Sequence, residues 1–266
     1  MTEPVRVLVH GALGKMGREV VNAVCRRNGM RVGGAVDLNA SGDNLPLPDG
    51  SGSASLSPDL ERLLQECRAD VMVDFTVARA AMPAARIAAA RGINLVIGTT
   101  GLSKDDVDEI GRLSEEQGIG AGLAPSFALG AVLMMHLARI AGKYLDHAEI
   151  IELHHERKVD APSGTALSTA RSMASARNQP FIPAEQKGKH PSRGEELEGI
   201  NIHSIRLPGL LAHQEVILGG PGQTLTIRHD TISRECFMPG VIMAIEKVVR
   251  HKGLIYGLDS LLGLEG

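Results

Sequence analysis

Aromatic side chains are scarce in this chain: 266 residues include four Phe, two Tyr and no Trp. Hydrophobic residues still make up 43%, so a packed core is expected, built from aliphatic side chains and methionine. Cysteine is equally sparse. Cys25, Cys67 and Cys236 are far apart, odd in number and form no C-x-x-C pair, which excludes a disulfide framework. All three fall in helix-like segments, where packing is their expected role. With no secretory leader legible, a reducing cytoplasm is the expected compartment. No apolar run is long enough to span a bilayer. The nearest covers residues 128–140 and carries His136 and Arg139. Net charge is −3 with no long basic run, which argues against nucleic acid as the main partner. The most basic stretch, residues 187–193, has no aromatic interleaving and reads as a solvated loop.

What the chain does have is a regular alternation of short apolar runs and helical segments. Strands are expected over residues 5–9, 31–36, 71–75, 94–97 and 119–121, with helices over 15–28, 79–91 and a segment opened by Ser103. Ser103 and Asp106 have the spacing of a capping box. Residues 38–55, rich in Gly, Ser and Pro, read as a loop. Ser57-Pro58 reads as cap and first turn of a short helix. This pattern predicts a parallel α/β sheet.

The pattern changes after residue 125. Helices over 128–143 and 165–176 flank a strand over 148–154. A polar loop is expected over 178–199, then strands near 201–207, 213–218 and 223–230. Gly219-Gly220-Pro221-Gly222 marks a hairpin. A last helix over 235–251 is expected to pack back on the first domain. The expected architecture is therefore α/β: a Rossmann-type dinucleotide-binding domain from residues 1–125 and 235–266, and an α+β domain with a mixed sheet from residues 126–234.

Residues 154–165 read His-His-Glu-Arg-Lys-Val-Asp-Ala-Pro-Ser-Gly-Thr. The run combines an imidazole that titrates near neutral pH, a lysine four residues on, and a turn that starts a helix. His154 suits proton transfer, and Lys158 supplies charge to an oxyanion. The N–H groups of Ser163, Gly164 and Thr165 form a cradle for a carboxylate or phosphate. The bland alternative is a strand end with polar decoration.

Upstream, Gly11-Ala12-Leu13-Gly14-Lys15-Met16-Gly17 follows a strand and opens a helix. Glycine here permits a tight turn, close approach to a pyrophosphate and helix–strand packing. Asp37 ends the second strand, where a carboxylate accepts bonds from ribose hydroxyls. A 2′-phosphate would face like charge there, and Leu38 offers no basic partner. NADH is therefore favoured, with NADPH as the alternative through Lys15 or Arg18. Gly98-Thr99-Thr100-Gly101 and Ala124-Pro125-Ser126-Phe127 each follow a strand of the same sheet. They are read equally well as nicotinamide contacts or as ordinary turns. Asp74 reads as a cap for the following helix, and His10 as a cap for the glycine loop.

Together these motifs, with Asp74-Phe75-Thr76 and Glu152-Leu153-His154-His155 leading into Thr165-Ala166-Leu167, resemble the 4-hydroxy-tetrahydrodipicolinate (dihydrodipicolinate) reductases over nearly the whole chain. The resemblance implies NAD(P)H-dependent reduction of a cyclic dicarboxylate imine, with loss of water, in lysine and diaminopimelate biosynthesis. It implies His154 as acid/base, Lys158 as a second proton donor, and His155, Gly164 and Thr165 as substrate contacts. It implies cofactor contacts at Gly11, Ala12, Leu13, Gly14, Lys15, Met16, Asp37, Gly98, Thr99, Thr100, Ala124, Pro125, Ser126 and Phe127. It further implies a homotetramer assembled through the sheets of the second domain, with hinge closure between domains. Two positions depart from the family pattern: Leu13 stands where many members have glycine, and Leu38 where NADPH-competent members often carry a base.

Three rival readings stay open on sequence. One is another two-domain dehydrogenase, acting on an amino acid or sugar. A second is a non-catalytic dinucleotide sensor, which leaves His154 and Lys158 without a task. A third is a metal site at His154-His155-Glu156. Neighbours on a strand point to opposite faces, so no metal is expected.

Overall fold

The first apolar run, Val5–His10, becomes strand β1, flanked on both sides by parallel neighbours and fully buried from Val7 to Ala12 except for a sliver of His10. A strand covered on both faces carries a continuous apolar run, not an alternating one. The computed structural model describes residues 3–183 and 191–264. After β1 come α1 (Lys15–Arg26), β2 (Met30–Val36), β3 (Asn44–Pro46), β4 (Ser53–Ser57), α2 (Leu60–Glu66), β5 (Val71–Asp74), α3 (Ala78–Ala89), β6 (Asn94–Ile97), α4 (Lys104–Glu116) and β7 (Gly120–Leu123). Next are α5 (Leu129–Ala141), β8 (His147–His154), α6 (Gly164–Ser175), β9 (Glu195–Leu197), β10 (Ile200–Arg206), β11 (Ala212–Gly220) and β12 (Gln223–Thr231). The chain finishes with α7 (Met238–Val248), β13 (Gly253–Tyr256) and α8 (Leu258–Leu262). Contacts divide it into two units, Met1–Leu129 with Phe237–Gly266, and Gly130–Cys236.

The first unit holds an eight-stranded sheet in the order β13-β7-β6-β5-β1-β2-β4-β3. Every pairing is parallel except the β3–β4 hairpin. The order runs outward in both directions from β1 and β5, which makes their carboxyl ends the switch point where ligands bind in such sheets. His10 and Asp74 close those two strands and are register partners. The core is aliphatic and methionine-containing, with Leu8, Met72, Met82, Leu95 and Ile110 among its members.

Four expectations are corrected here. Residues 38–55 are not all loop, because β3 and β4 form a hairpin that extends the sheet. The helix after Ser57-Pro58 is capped by Asp59, whose carboxylate accepts from the Arg62 N–H, while Ser57 closes β4. The last helix starts later, at Met238, after a short 3-10 turn. Residues 253–256 form an unforeseen strand, β13, that pairs parallel with β7. The Ser103/Asp106 capping box forms as expected.

The second unit is a five-stranded mixed sheet in the order β12-β11-β8-β10-β9. β8 and β10 are parallel and the other pairs antiparallel. Alternate residues of β8 and β11 are buried. Ala148, Ile150, Val216 and Leu218 pack with Met134, Ala166 and Met173 from the helices. Ile151, Leu153 and Ile217 point the other way and are only half-buried. The loop expected over 178–199 ends in a 3-10 turn, Pro191–Arg193, and the edge strand β9. Its middle, residues 184–190, and with it most of the basic stretch at 187–193, lies outside the described residues.

Candidate active site

The glycine turn is shaped by contact. Gly11 sits at φ 83, a left-handed conformation that L side chains rarely adopt. A Cβ at Gly17 would lie 2.0 Å from the Gly11 carbonyl oxygen, so only glycine lets α1 cross the turn this closely. The helix begins at Gly14, which offers no side-chain cap, leaving its first N–H groups turned to the crevice end of the sheet. Such a start attracts a pyrophosphate. The residues present therefore fit a dinucleotide.

Asp37 is buried at the end of the second strand. Its Oδ2 accepts from the Leu13 N–H at 2.9 Å, and its Oδ1 accepts from the Asn39 backbone N–H at 2.9 Å and side-chain amide at 3.2 Å. The carboxylate thus braces the glycine turn and keeps lone pairs able to accept further hydrogen bonds. Leu38 is 82% exposed, so no base sits beside Asp37 in sequence.

Asp74 does not cap the following helix. Val77 is the cap residue of α3, without a side-chain bond. Asp74 is instead fully buried and holds the crevice together. It accepts from His10 Nδ1 at 2.5 Å, from the Thr99 hydroxyl at 2.5 Å, and from the Thr76 N–H and hydroxyl at 3.1 and 3.0 Å. His10 is therefore a partner of Asp74 and not a cap of the glycine loop. Thr99 also accepts from the Thr76 N–H at 2.8 Å. Phe127 packs edge-on against Phe75 with ring centres 6.0 Å apart. Thr99, Thr100, Ala124, Pro125 and Tyr256 line a cavity of about 120 Å³. Both loops left open as turns thus meet around one hollow, beside the carboxyl ends of β6 and β7.

In the second unit the centre is Glu152, which sequence reasoning quoted only within a motif. Its side chain is fully buried. It accepts from His154 Nδ1 at 2.5 Å, from Arg206 Nη1 and Nη2 at 2.8 Å each, and from the Ser163 N–H at 3.1 Å. Burial pushes this carboxyl up, but the bonds from His154, Arg206 and Ser204 outweigh it and hold it at about 2. The same ion pair raises Arg206 further above its ordinary value. Lys158 Nζ donates to both oxygens of Asp160, at 2.8 and 2.9 Å. That bond is the main reason the Asp160 carboxyl titrates below its usual range.

Ser163 leaves the expected cradle. Its N–H is spent on Glu152, its hydroxyl accepts from the Ala166 N–H as the helix cap, and the residue is 2% exposed. Gly164 is exposed and Thr165 half-buried at the first turn of α6, and the Gly164 N–H donates to the Asp160 carboxylate. The His155 ring accepts from the Arg157 N–H at 3.2 Å and is not bonded to His154. Among the described residues no group of three or more His, Cys, Asp and Glu is placed to hold a metal ion.

A doubly wound parallel sheet with a glycine-turned helix start, joined in one chain to a mixed sheet bearing a histidine, a lysine and an open helix start, defines a Rossmann-type NAD(P)-dependent oxidoreductase. Comparison with known proteins narrows the class. Residues 5–127 match the family model for dihydrodipicolinate reductase, N-terminus, and residues 130–262 match the one for its C-terminus. The chain belongs to the dihydrodipicolinate reductase family. It is 56% identical over 261 residues to a 4-hydroxy-tetrahydrodipicolinate reductase of Dehalococcoides mccartyi, covering 98% of this chain and 99% of that one. The corresponding protein of Moorella thermoacetica is 49% identical over 265 residues, with 98% and 99% covered. A solved dipicolinate-bound dihydrodipicolinate reductase from Paenisporosarcina sp. TG-14 superposes with a TM-score of 0.83 at 38% identity, covering 96% and 98%. An amine dehydrogenase of Mycobacterium smegmatis, at 15% identity and TM-score 0.65, shares the fold alone.

Proposed function

We propose that this chain reduces 4-hydroxy-tetrahydrodipicolinate to tetrahydrodipicolinate, a step of lysine and diaminopimelate biosynthesis. The observation that carries the reading is the bond from His154 Nδ1 to buried Glu152, which leaves Nε2 of the same ring to exchange a proton. The relative whose structure is described with dipicolinate, an aromatic dicarboxylate, supports the substrate class.

Bound NAD(P)H supplies a hydride. The reaction also releases the substrate hydroxyl as water, so it consumes one proton, and in this reading His154 gives it. Lys158 and the N–H groups of Gly164 and Thr165 bind the substrate carboxylates by charge and by the dipole of α6. His155, at the same loop, contacts the substrate. Lys158 is the second donor if the proton comes from the carboxylate side. General acid catalysis of this kind contributes about 10²–10⁴-fold.

In the first unit we assign the pyrophosphate to residues Gly11 through Met16, the adenine ribose to Asp37, and the nicotinamide to Gly98, Thr99, Thr100, Ala124, Pro125, Ser126 and Phe127. The Asp37 carboxylate and the apolar Leu38 favour NADH over NADPH. We further propose a cytoplasmic homotetramer, joined through the uncovered face of the second sheet. Three free cysteines and a half-exposed row of Ile151, Leu153, Ile205 and Ile217 on that face support this.

A steady-state assay on enzymatically generated 4-hydroxy-tetrahydrodipicolinate, with NADH and NADPH in parallel, tests the reading. Turnover with both and a higher kcat/KM for NADH is expected. NADH binding without turnover would favour the sensor, and turnover of an amino acid or sugar instead would favour another dehydrogenase.

A further inference from the structure

The mechanism above uses His154, Lys158 and the start of α6, but neither Glu152 nor Arg206. Glu152 and His154 are two residues apart on β8, so their side chains leave the same face of the strand. On that face Glu152 meets Arg206 of β10 and Ser163 before α6. Its register partners are Ser204 on β10 and Gln214 on β11, both uncharged. Arg206 also reaches away from the carboxylate. Its Nη2 donates to the Asp160 carbonyl at 2.6 Å and its Nε to the Lys158 carbonyl at 3.3 Å. One buried ion pair therefore joins His154, the loop that carries Lys158 and Asp160, and the first turn of α6.

An ionised carboxylate only accepts hydrogen bonds. The ring nitrogen that faces Glu152 must then carry a hydrogen, and the proton traded with substrate must travel on the other nitrogen. A buried pair that served stability alone would need no third partner, and apolar side chains would often serve as well.

We propose that Glu152 is a positioning residue for the reduction, fixing His154 in the Nδ1–H form, with Arg206 clamping the pair to the Lys158 loop. This rests on the acid role given to His154. The low titration range of Glu152 agrees with it, since the carboxylate stays charged throughout the working pH range.

The test is a double-mutant cycle between Glu152→Gln and His154→Ala, read with NADH and the 4-hydroxy substrate. Glu152→Gln is expected to lower kcat by about 10–100-fold, within the reach of general acid catalysis, with KM changed less than about threefold. In the His154→Ala background the same change should cost less than about twofold. Equal costs in both backgrounds, or a loss carried by KM and not by kcat, would overturn the inference while leaving the acid assignment intact. His154→Ala at the unmutated rate would overturn both. Should Glu152→Gln fail to fold, Glu152→Asp keeps the charge for Arg206 and withdraws the acceptor from Nδ1. It should show the same non-additivity with His154→Ala, and additive losses would again overturn the proposal.

Discussion

Lys158 is already partnered before any substrate arrives: its ammonium lies 2.8 and 2.9 Å from the two carboxylate oxygens of Asp160. Under the proposed role of Lys158, an incoming substrate carboxylate would compete with an internal one for the same cation. The Asp160 side chain is 58% exposed, and exposed pairs of this kind contribute only about 0.2–1 kcal/mol. Asp160→Asn is therefore expected to tighten dipicolinate binding by roughly two- to fivefold, measured by titration calorimetry in the presence of NADH. Weaker binding in the variant would mean that Asp160 aims Lys158 and does not compete for it.

In the proposed assignment, cofactor choice turns on Asp37 and its neighbour. Leu38 is exposed, so replacing it removes no packing. Leu38→Arg sets a guanidinium where a 2′-phosphate would lie, and a charge-assisted bond there is worth about 1.5–3 kcal/mol. The kcat/KM for NADPH should rise by about tenfold or more while that for NADH changes little. An unchanged ratio would remove the assignment of Asp37 and Leu38 to the ribose end.

Glu152 makes acid stability predictable in sign. Its carboxyl is held at about 2 against an ordinary value of 4.5, so the folded state favours the ionised form. That contribution is fully present above about pH 4.5 and is lost as pH falls toward 2, amounting to about 3 kcal/mol at most. Urea unfolding followed by circular dichroism should show stability falling across this window. Glu152→Gln should be less stable at neutral pH, and its curve should be flatter between pH 4.5 and 2. A variant with the same slope would place the acid sensitivity elsewhere.

Local signals were the readable ones. The capping box at Ser103 and Asp106 spans four residues and needs nothing else. Strand, glycine turn, helix and Asp37 follow in order along fewer than forty residues, so the candidate dinucleotide site of the first unit was legible in the sequence. The Glu152–Arg206 pair was not, because the two residues are 54 apart in sequence and meet through the parallel register of β8 and β10. Asp74 is not a helix cap for a similar reason: its partners His10 and Thr99 come from the end of β1 and from the loop after β6. β13 escaped because four residues after a helix carry too little periodicity to distinguish a strand. β3 and β4 hid in a segment rich in Gly, Ser and Pro. Ser163 falls in the cradle by its position at a helix start, but the structure commits both its N–H and its hydroxyl inside the unit.

The central claim is that His154 gives the proton consumed when a cyclic dicarboxylate imine is reduced. It is tested most directly by steady-state kinetics of His154→Ala on 4-hydroxy-tetrahydrodipicolinate with saturating NADH. The account predicts a kcat lower by about 10²–10⁴-fold with KM changed only a few-fold. A kcat equal to that of the unmutated protein would contradict it.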